Sequence, residues 1–252
     1  MEHSGHRERL RTRVLSNGLE SMLPHEVLEL LLCYAIPRRD VNPLAHQLLN
    51  HFGSLHAVLD ADAESLMQIP GISTQTAVLL TMIPQLFRFY ALDKTGNHPV
   101  LSTRQAACAY CANLFWGITQ EALFMLCLDA QGRLLRKVLL HEGTIDQITV
   151  YPRNVVQAAL QFSACSVIFS HNHPSGICEP SEADIQMTAE LIRTLQGISI
   201  SVLDHIIVAD GEGVSMRSGG FLHLENPQEV PACAAENASP MRNITRTSKR
   251  KP

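Results

Sequence analysis

The segment HNHPSGICEPSEAD, residues 171–184, gathers side chains that bind metal ions: His171, His173 and Asp184. Two histidines one residue apart point to the same side of an extended segment, so both imidazoles can reach one ion. Asp184, eleven residues after His173, returns from the first turn of a following helix and offers an oxygen as third ligand. Three protein ligands leave the fourth tetrahedral position of Zn²⁺ open to water, which is the arrangement of a catalytic site. Zinc there lowers the pKa of that water to about 7 and polarises a carbonyl oxygen. Each feature alone is ordinary, because a His-x-His in a turn commonly serves surface hydrogen bonding and Ser181-x-x-Asp184 is a helix capping box. Their combination at the end of an apolar strand, in a loop stiffened by Pro174, Gly176 and Pro180, makes a candidate centre. Ser181 can cap the helix while its hydroxyl faces a substrate.

The elements that must hold these residues are legible around them. CSVIFS is a short apolar run, read as a buried central strand ending at His171. A helix is expected from Ser181 to Gln196, with Ile185, Ala189, Ile192 and Leu195 on one face. ALFMLCLD and RLLRKVLLHEG read as two strands around a tight AQG turn, ITVYP as a third, and PRNVVQAALQFSA as a helix opened by Pro152. ISVLDHIIVAD, GEG and VSMR form a closing hairpin, and a further helix covers Thr103 to Trp116. From Pro24 to Phe89 the text is helical instead, with apolar residues three and four apart between Pro and Gly breaks. The polar stretch DKTGNHP marks the boundary. The expected organisation is a helical accessory domain over residues 1–98, a mixed α/β (α+β) domain over 99–225, and a basic tail without apolar period over 226–252.

Composition bounds the reading. The chain has 252 residues, 46% hydrophobic and 17% charged, enough for one large or two modest cores. No run reaches the ~18 uninterrupted apolar residues of a membrane span. The first thirteen residues carry Arg7, Arg9, Arg11 and Arg13 with no apolar core behind them, so no signal peptide is read and a cytoplasmic location is expected. Seven cysteines, an odd number in a chain of this size, argue against a disulfide framework. The net charge of −4 divides into +2 for residues 1–13, +5 for residues 241–252 and −11 for the body between. An acidic body does not present the broad basic face of a duplex-DNA binder, though either end can touch phosphates.

The motif resembles the JAMM signature, His-x-His-x7-Ser-x2-Asp, of MPN-type metalloproteases, and the surrounding text resembles the bacterial RadC family. GHRERLR, HEVLELLLCYAIPRRDVNPLAHQLL, EGTID, YPRNVVQAAL and VLDHIIVADGEGVSMR carry that resemblance along nearly the whole chain. It implies His171, His173 and Asp184 as zinc ligands and Ser181 as the residue that steadies a tetrahedral intermediate. It implies a curved β-sheet wrapped by helices in the cytidine-deaminase-like arrangement, and a general base at the amino-terminal edge of the domain. In QEALFMLCLD that position is Glu121, with Glu142 in LLHEGT as its rival. The resemblance also makes Asp204-His205 a recurring pair, and a carboxylate such as Asp204 suits the support of a ligating imidazole. A satisfied polar pair within a strand accounts for it equally well, and His141 is read in the same two ways.

Other features point elsewhere. Cys108-x-x-Cys111 has metal or redox spacing but no second pair, and is read as two core positions on a helix. Cys178 lies inside the metal loop and is given no role. LMQIPGISTQTAVLL resembles a helix-hairpin-helix element, whose glycine turn offers backbone N–H groups to phosphate. Ser73 occupies its second glycine position and no basic residue lies between Ala61 and Thr81, which weakens the DNA reading. The leading expectation is a zinc-dependent hydrolase acting on a peptide or isopeptide bond of a protein or peptide substrate. The competing one is a DNA-repair-associated protein with weak DNA contact through the helical domain or basic tail. A zinc deaminase is disfavoured because the His-x-Glu and Pro-Cys-x-x-Cys pair is missing.

Overall fold

The computed structural model describes residues 2–143 and 150–222. Its first part is helical: α1 (Glu2–Asn17), α2 (Pro24–Ala35), α3 (Asn42–Phe52), α4 (Leu55–Asp60), α5 (Ala63–Met67) and α6 (Thr74–Lys94). Helices of six and five residues, α4 and α5, are too short to persist alone. Side-chain oxygens of Ser54 and Asp62 cap them, and Val58 and Leu66 bury fully against Leu28, Leu32, Leu48 and Leu80. Helix α1 is a finding the periodicity did not anticipate, and two of its arginines are tied to the bundle. Arg7 donates to the carbonyls of Ile36 and Arg39 past the end of α2, while Arg13 pairs with Glu26 at 2.7 Å and donates to Ser21 O. Those charges hold backbone and carboxylate oxygens of the chain itself.

The second part is built on a five-stranded sheet in the order β2-β1-β3-β4-β5, with β1 (Ala122–Leu128), β2 (Leu134–Glu142), β3 (Ser166–Asn172), β4 (Ser201–Ala209) and β5 (Glu212–Ser215). Only β3 and β4 run parallel, joined through α9 (Glu182–Gln196); the other pairs are antiparallel. The expected fold class holds: helices first, then a mixed open sheet with helices around it. Strand β3 is buried at every position, as its continuous apolar run requires at the middle of a covered sheet. Val150 and Tyr151 of ITVYP are not in a strand, Pro152 begins α8 (Pro152–Gln161), and Ile148 and Thr149 lie outside the described residues, as do most of EGTID and residues 226–252.

Alternation along the strands divides the sheet into two faces. Leu123, Met125, Val167 and Phe169 bury against Val155 of α8 and Leu191 and Leu195 of α9. Leu126, Leu128, Ile168 and Ile206 bury against Tyr110, Cys111 and Leu114 of α7 (Arg104–Leu114). The α8/α9 face is the one that carries the candidate centre. Five cysteines, Cys33, Cys108, Cys111, Cys127 and Cys178, are free, with Cys111 fully buried on α7 as expected. Among the described residues no helix is long and apolar enough to cross a membrane.

Candidate metal centre

Strands β1 and β3 pair with Leu123 opposite His171. Residues opposed across an antiparallel pair project to the same face. His171 thus lies at the end of the sheet where β3 finishes, with His173 just beyond it, and the charge of Glu121, one residue before β1, acts on His173. Asp184 reaches the same point from the first turn of α9, because Ser181 starts the helix there. The Ser181 hydroxyl accepts from the Asp184 N–H at 3.2 Å, and Asp184 Oδ2 accepts from the Ser181 N–H at 2.8 Å and its hydroxyl at 2.6 Å. The expected capping box is thus present and also fixes the carboxylate.

The ligating atoms of His171, His173 and Asp184 lie within 4.8 Å of one another. His171 Nε2 is 3.2 Å from Asp184 Oδ1 and 2.8 Å from His173 Nε2, and His173 Nε2 is 3.5 Å from Asp184 Oδ2. Asp184 is 1% exposed, and with Oδ2 occupied by Ser181 its Oδ1 is buried without a hydrogen-bond partner among the described residues. Burial pushes the Asp184 carboxyl up, but the imidazoles of His171 and His173 beside it and the Ser181 hydroxyl outweigh burial and hold the group far below the carboxylate range. His173 is raised above its ordinary value, by Asp184 first, against burial, with a smaller push from the Glu121 charge. A buried carboxylate oxygen without a partner, facing two imidazole nitrogens, is the donor set of a cation site. Two nitrogens and one oxygen suit Zn²⁺. The residues fit a metal ion.

The loop after β3 fixes one imidazole. His173 Nδ1 lies 2.6 Å from the Ile177 carbonyl, which can only accept, so that nitrogen carries the proton and Nε2 turns its lone pair inward. Gly176 permits the turn with φ +79°, and a Cβ there would lie 3.0 Å from Asp210 Oδ2. Cys178 stands apart from the ligand cluster, its Sγ 3.9 Å from the Ala209 carbonyl and its thiol pushed up by burial.

The strand pairing separates three residues that sequence reasoning left open. Glu142 pairs with Ala122, whose side chain packs on the α7 face, so the register turns Glu142 away from the centre. Asp204 pairs with Ile168, also on the α7 face. There its carboxylate accepts from the Ser215 hydroxyl at 2.5 Å and the N–H groups of His205 and Arg217, so it does not support a ligating imidazole. His205, one residue on, faces the centre: its Nε2 is 2.8 Å from His171 Nδ1, and its Nδ1 is 2.6 Å from Thr188 Oγ1 on α9. Full burial lowers the His205 pKa well below its ordinary value and keeps the ring neutral. Thr188 was not among the expected site residues. Its signal was the four-residue spacing from Asp184, which puts both on one helix face. The buried positions of α9 are Asp184, Thr188, Leu191, Ile192 and Leu195, so Ile192 and Leu195 of the expected stripe are buried while Ile185 and Ala189 are half-buried. His141 sits opposite Leu123 on the centre's face with its Nε2 buried and lacking a hydrogen-bond partner among the described residues.

A helical unit followed by a mixed sheet with a His-His-Asp group at its edge defines a JAB-domain protein of the RadC type. Residues 101–221 match the family model described as RadC-like JAB domain, and residues 1–78 match the one described as UPF0758 N-terminal. A UPF0758 protein of Rhodobacter capsulatus is 37% identical over 213 residues, covering 84% of this chain and 100% of that relative. The chain belongs to this RadC-like, UPF0758 family.

Proposed function

We propose that the protein is a zinc-dependent hydrolase of the JAMM type, cleaving a peptide or isopeptide bond in a protein or peptide substrate. The observation that carries this reading is the buried Asp184 Oδ1, orphaned among the described residues, facing Nε2 of His171, with Nε2 of His173 beside the same carboxylate. A zinc ion held by those three residues supplies Lewis acidity toward a carbonyl and makes water a nucleophile near neutral pH. Glu121, one residue before β1 and near enough for its charge to act on His173, takes the proton of the attacking water and returns it to the leaving amine. The Ser181 hydroxyl turns from Asp184 Oδ2 to the developing oxyanion, while its backbone N–H keeps the carboxylate in place.

The test is to load the purified chain with Zn²⁺ and offer it a panel of peptide- and isopeptide-linked substrates. Cleavage that 1,10-phenanthroline abolishes and added Zn²⁺ restores is the expected result. A zinc-loaded protein that leaves the whole panel intact overturns the hydrolase reading.

One observation favours a second reading, nucleic-acid contact through the helical unit. The hairpin before α6 has Gly71 at φ +102°, and a Cβ there would lie 3.2 Å from Nη1 of Arg39, which the α2–α3 loop brings alongside. Ser73 does not strain the turn, because it sits at φ −91° and caps α6 by accepting from the Thr76 N–H at 3.3 Å. The turn thus has an exposed cation beside it that no neighbour in sequence supplies. In this reading DNA affinity falls steeply with salt, Arg39→Ala reduces the slope by about one, and metal-site substitutions change nothing. Fluorescence anisotropy with a labelled duplex across a salt series checks it, and binding that is absent at low salt ends it.

A further inference from the structure

We propose that Thr188 and His205 are positioning residues that hold His171 in the tautomer whose Nε2 lone pair faces the metal centre. The inference rests on the metal-centre reading and extends it to two residues that coordinate nothing.

The argument is a count of protons along one chain of contacts. It starts at the Asp184 carbonyl, which lies 2.6 Å from Thr188 Oγ1 and can only accept. The hydroxyl proton of Thr188 is therefore committed to that carbonyl. In the 2.6 Å contact between Thr188 Oγ1 and His205 Nδ1, the hydroxyl oxygen must then accept and the ring nitrogen must donate. A neutral imidazole has one N–H, so His205 Nε2 is left as an acceptor. Its partner at 2.8 Å is His171 Nδ1, which must be the donor. A neutral His171 then carries its one proton on Nδ1 and keeps a lone pair on Nε2, the atom 3.2 Å from Asp184 Oδ1 and 2.8 Å from His173 Nε2. All three side chains, His171, Thr188 and His205, are 0% exposed, so water does not compete for these bonds.

The two histidine ligands are thus set by different means. His173 is set directly by a loop carbonyl, at Ile177. His171 is set by a two-residue relay that begins at the backbone of Asp184, the third ligand. The helix turn that delivers the carboxylate therefore also orients an imidazole on a different element. Asp204, the carboxylate next to His205, takes no part because it faces the other side of the sheet.

Thr188→Val keeps the shape and removes the hydroxyl, leaving His205 Nδ1–H without an acceptor. His205 then gains by carrying its proton on Nε2, which forces His171 to accept at Nδ1 and to turn an N–H toward the ion. Thr188→Ser retains the relay. Two readouts decide it. Two-bond ¹H–¹⁵N spectra of the metal-free protein should show His171 protonated at Nδ1 in wild type and in Thr188→Ser, and at Nε2 in Thr188→Val. Competition with a chromogenic chelator should show zinc affinity weakened ~10- to 100-fold in Thr188→Val and near wild type in Thr188→Ser. Wild-type zinc affinity in Thr188→Val, or equal losses in Val and Ser, overturns the proposal. So does His171 protonated at Nε2 in the metal-free wild type, a result that needs no variant to fold. A wild type that binds no zinc overturns the metal-centre reading instead, and the tautomer spectra still decide the relay.

Discussion

Replacing His171 and His173 together by alanine is expected to take the protein from about one zinc per chain to none. Two of three ligands are lost, and a single buried carboxylate with one oxygen committed to Ser181 cannot hold the ion alone. The same change removes the groups that keep Asp184 ionised against its burial. An uncompensated buried charge costs ~3–5 kcal/mol, so the double variant should also melt at a lower temperature. Asp184→Asn separates the two effects. It takes away the charge and one ligand while leaving an amide oxygen to accept at Ser181, so it should lose zinc with a smaller change in stability. Elemental analysis of both variants beside wild type, with circular dichroism to confirm folding, makes the measurement. A folded variant that retains full zinc content would show that the ion is held elsewhere.

Glu121→Gln is expected to keep its zinc and lose hydrolysis by ~10²- to 10⁴-fold, the contribution of a positioned general base. The substitution is nearly isosteric and lies one residue before β1, so neither the strand nor the ligand cluster is disturbed. Glu142→Gln is the matched control. Glu142 is exposed and paired with Ala122, on the face opposite to His171, so its loss should leave turnover within about twofold of wild type. Measuring kcat with metal content in the same samples separates a missing base from a missing ion. Equal activity of Glu121→Gln and wild type would remove Glu121 from the mechanism, and a loss confined to Glu142→Gln would transfer the role.

The grouping of His171, His173 and Asp184 was readable because each link in it is local. Two histidines at strand spacing and a carboxylate at the third position after a helix cap reach one point whenever β3, its loop and α9 form. Those elements form from short-range patterns: a continuous apolar run for β3, and an apolar stripe with a Ser-x-x-Asp start for α9. The helix α1 was missed for the matching reason. Its apolar stripe is reduced to Leu10 and Val14, packed against Met22, Val27 and Leu30, and its place depends also on Arg7 and Arg13 reaching oxygens of α2 and the turn before it.

What the tertiary structure alone decided is which of two candidate residues faces the centre. Asp204 and His205 are adjacent, and a carboxylate is the ordinary support of a ligating imidazole, so chemistry favoured Asp204. Glu121 and Glu142 are equally plausible bases by type. Both choices turn on pairing register, because side chains alternate between faces and a slip of one residue exchanges them. The register of β3 with β4 sets His205 beside Phe169 on the α8/α9 face, and that of β1 with β2 sets Glu142 beside Ala122 on the other. Arg39 reached Gly71 in the same way, across a bundle rather than along the chain. Residue types and short spacings determine which groups can bind a metal; which groups stand behind them depends on contacts between distant segments, and no local pattern encodes that.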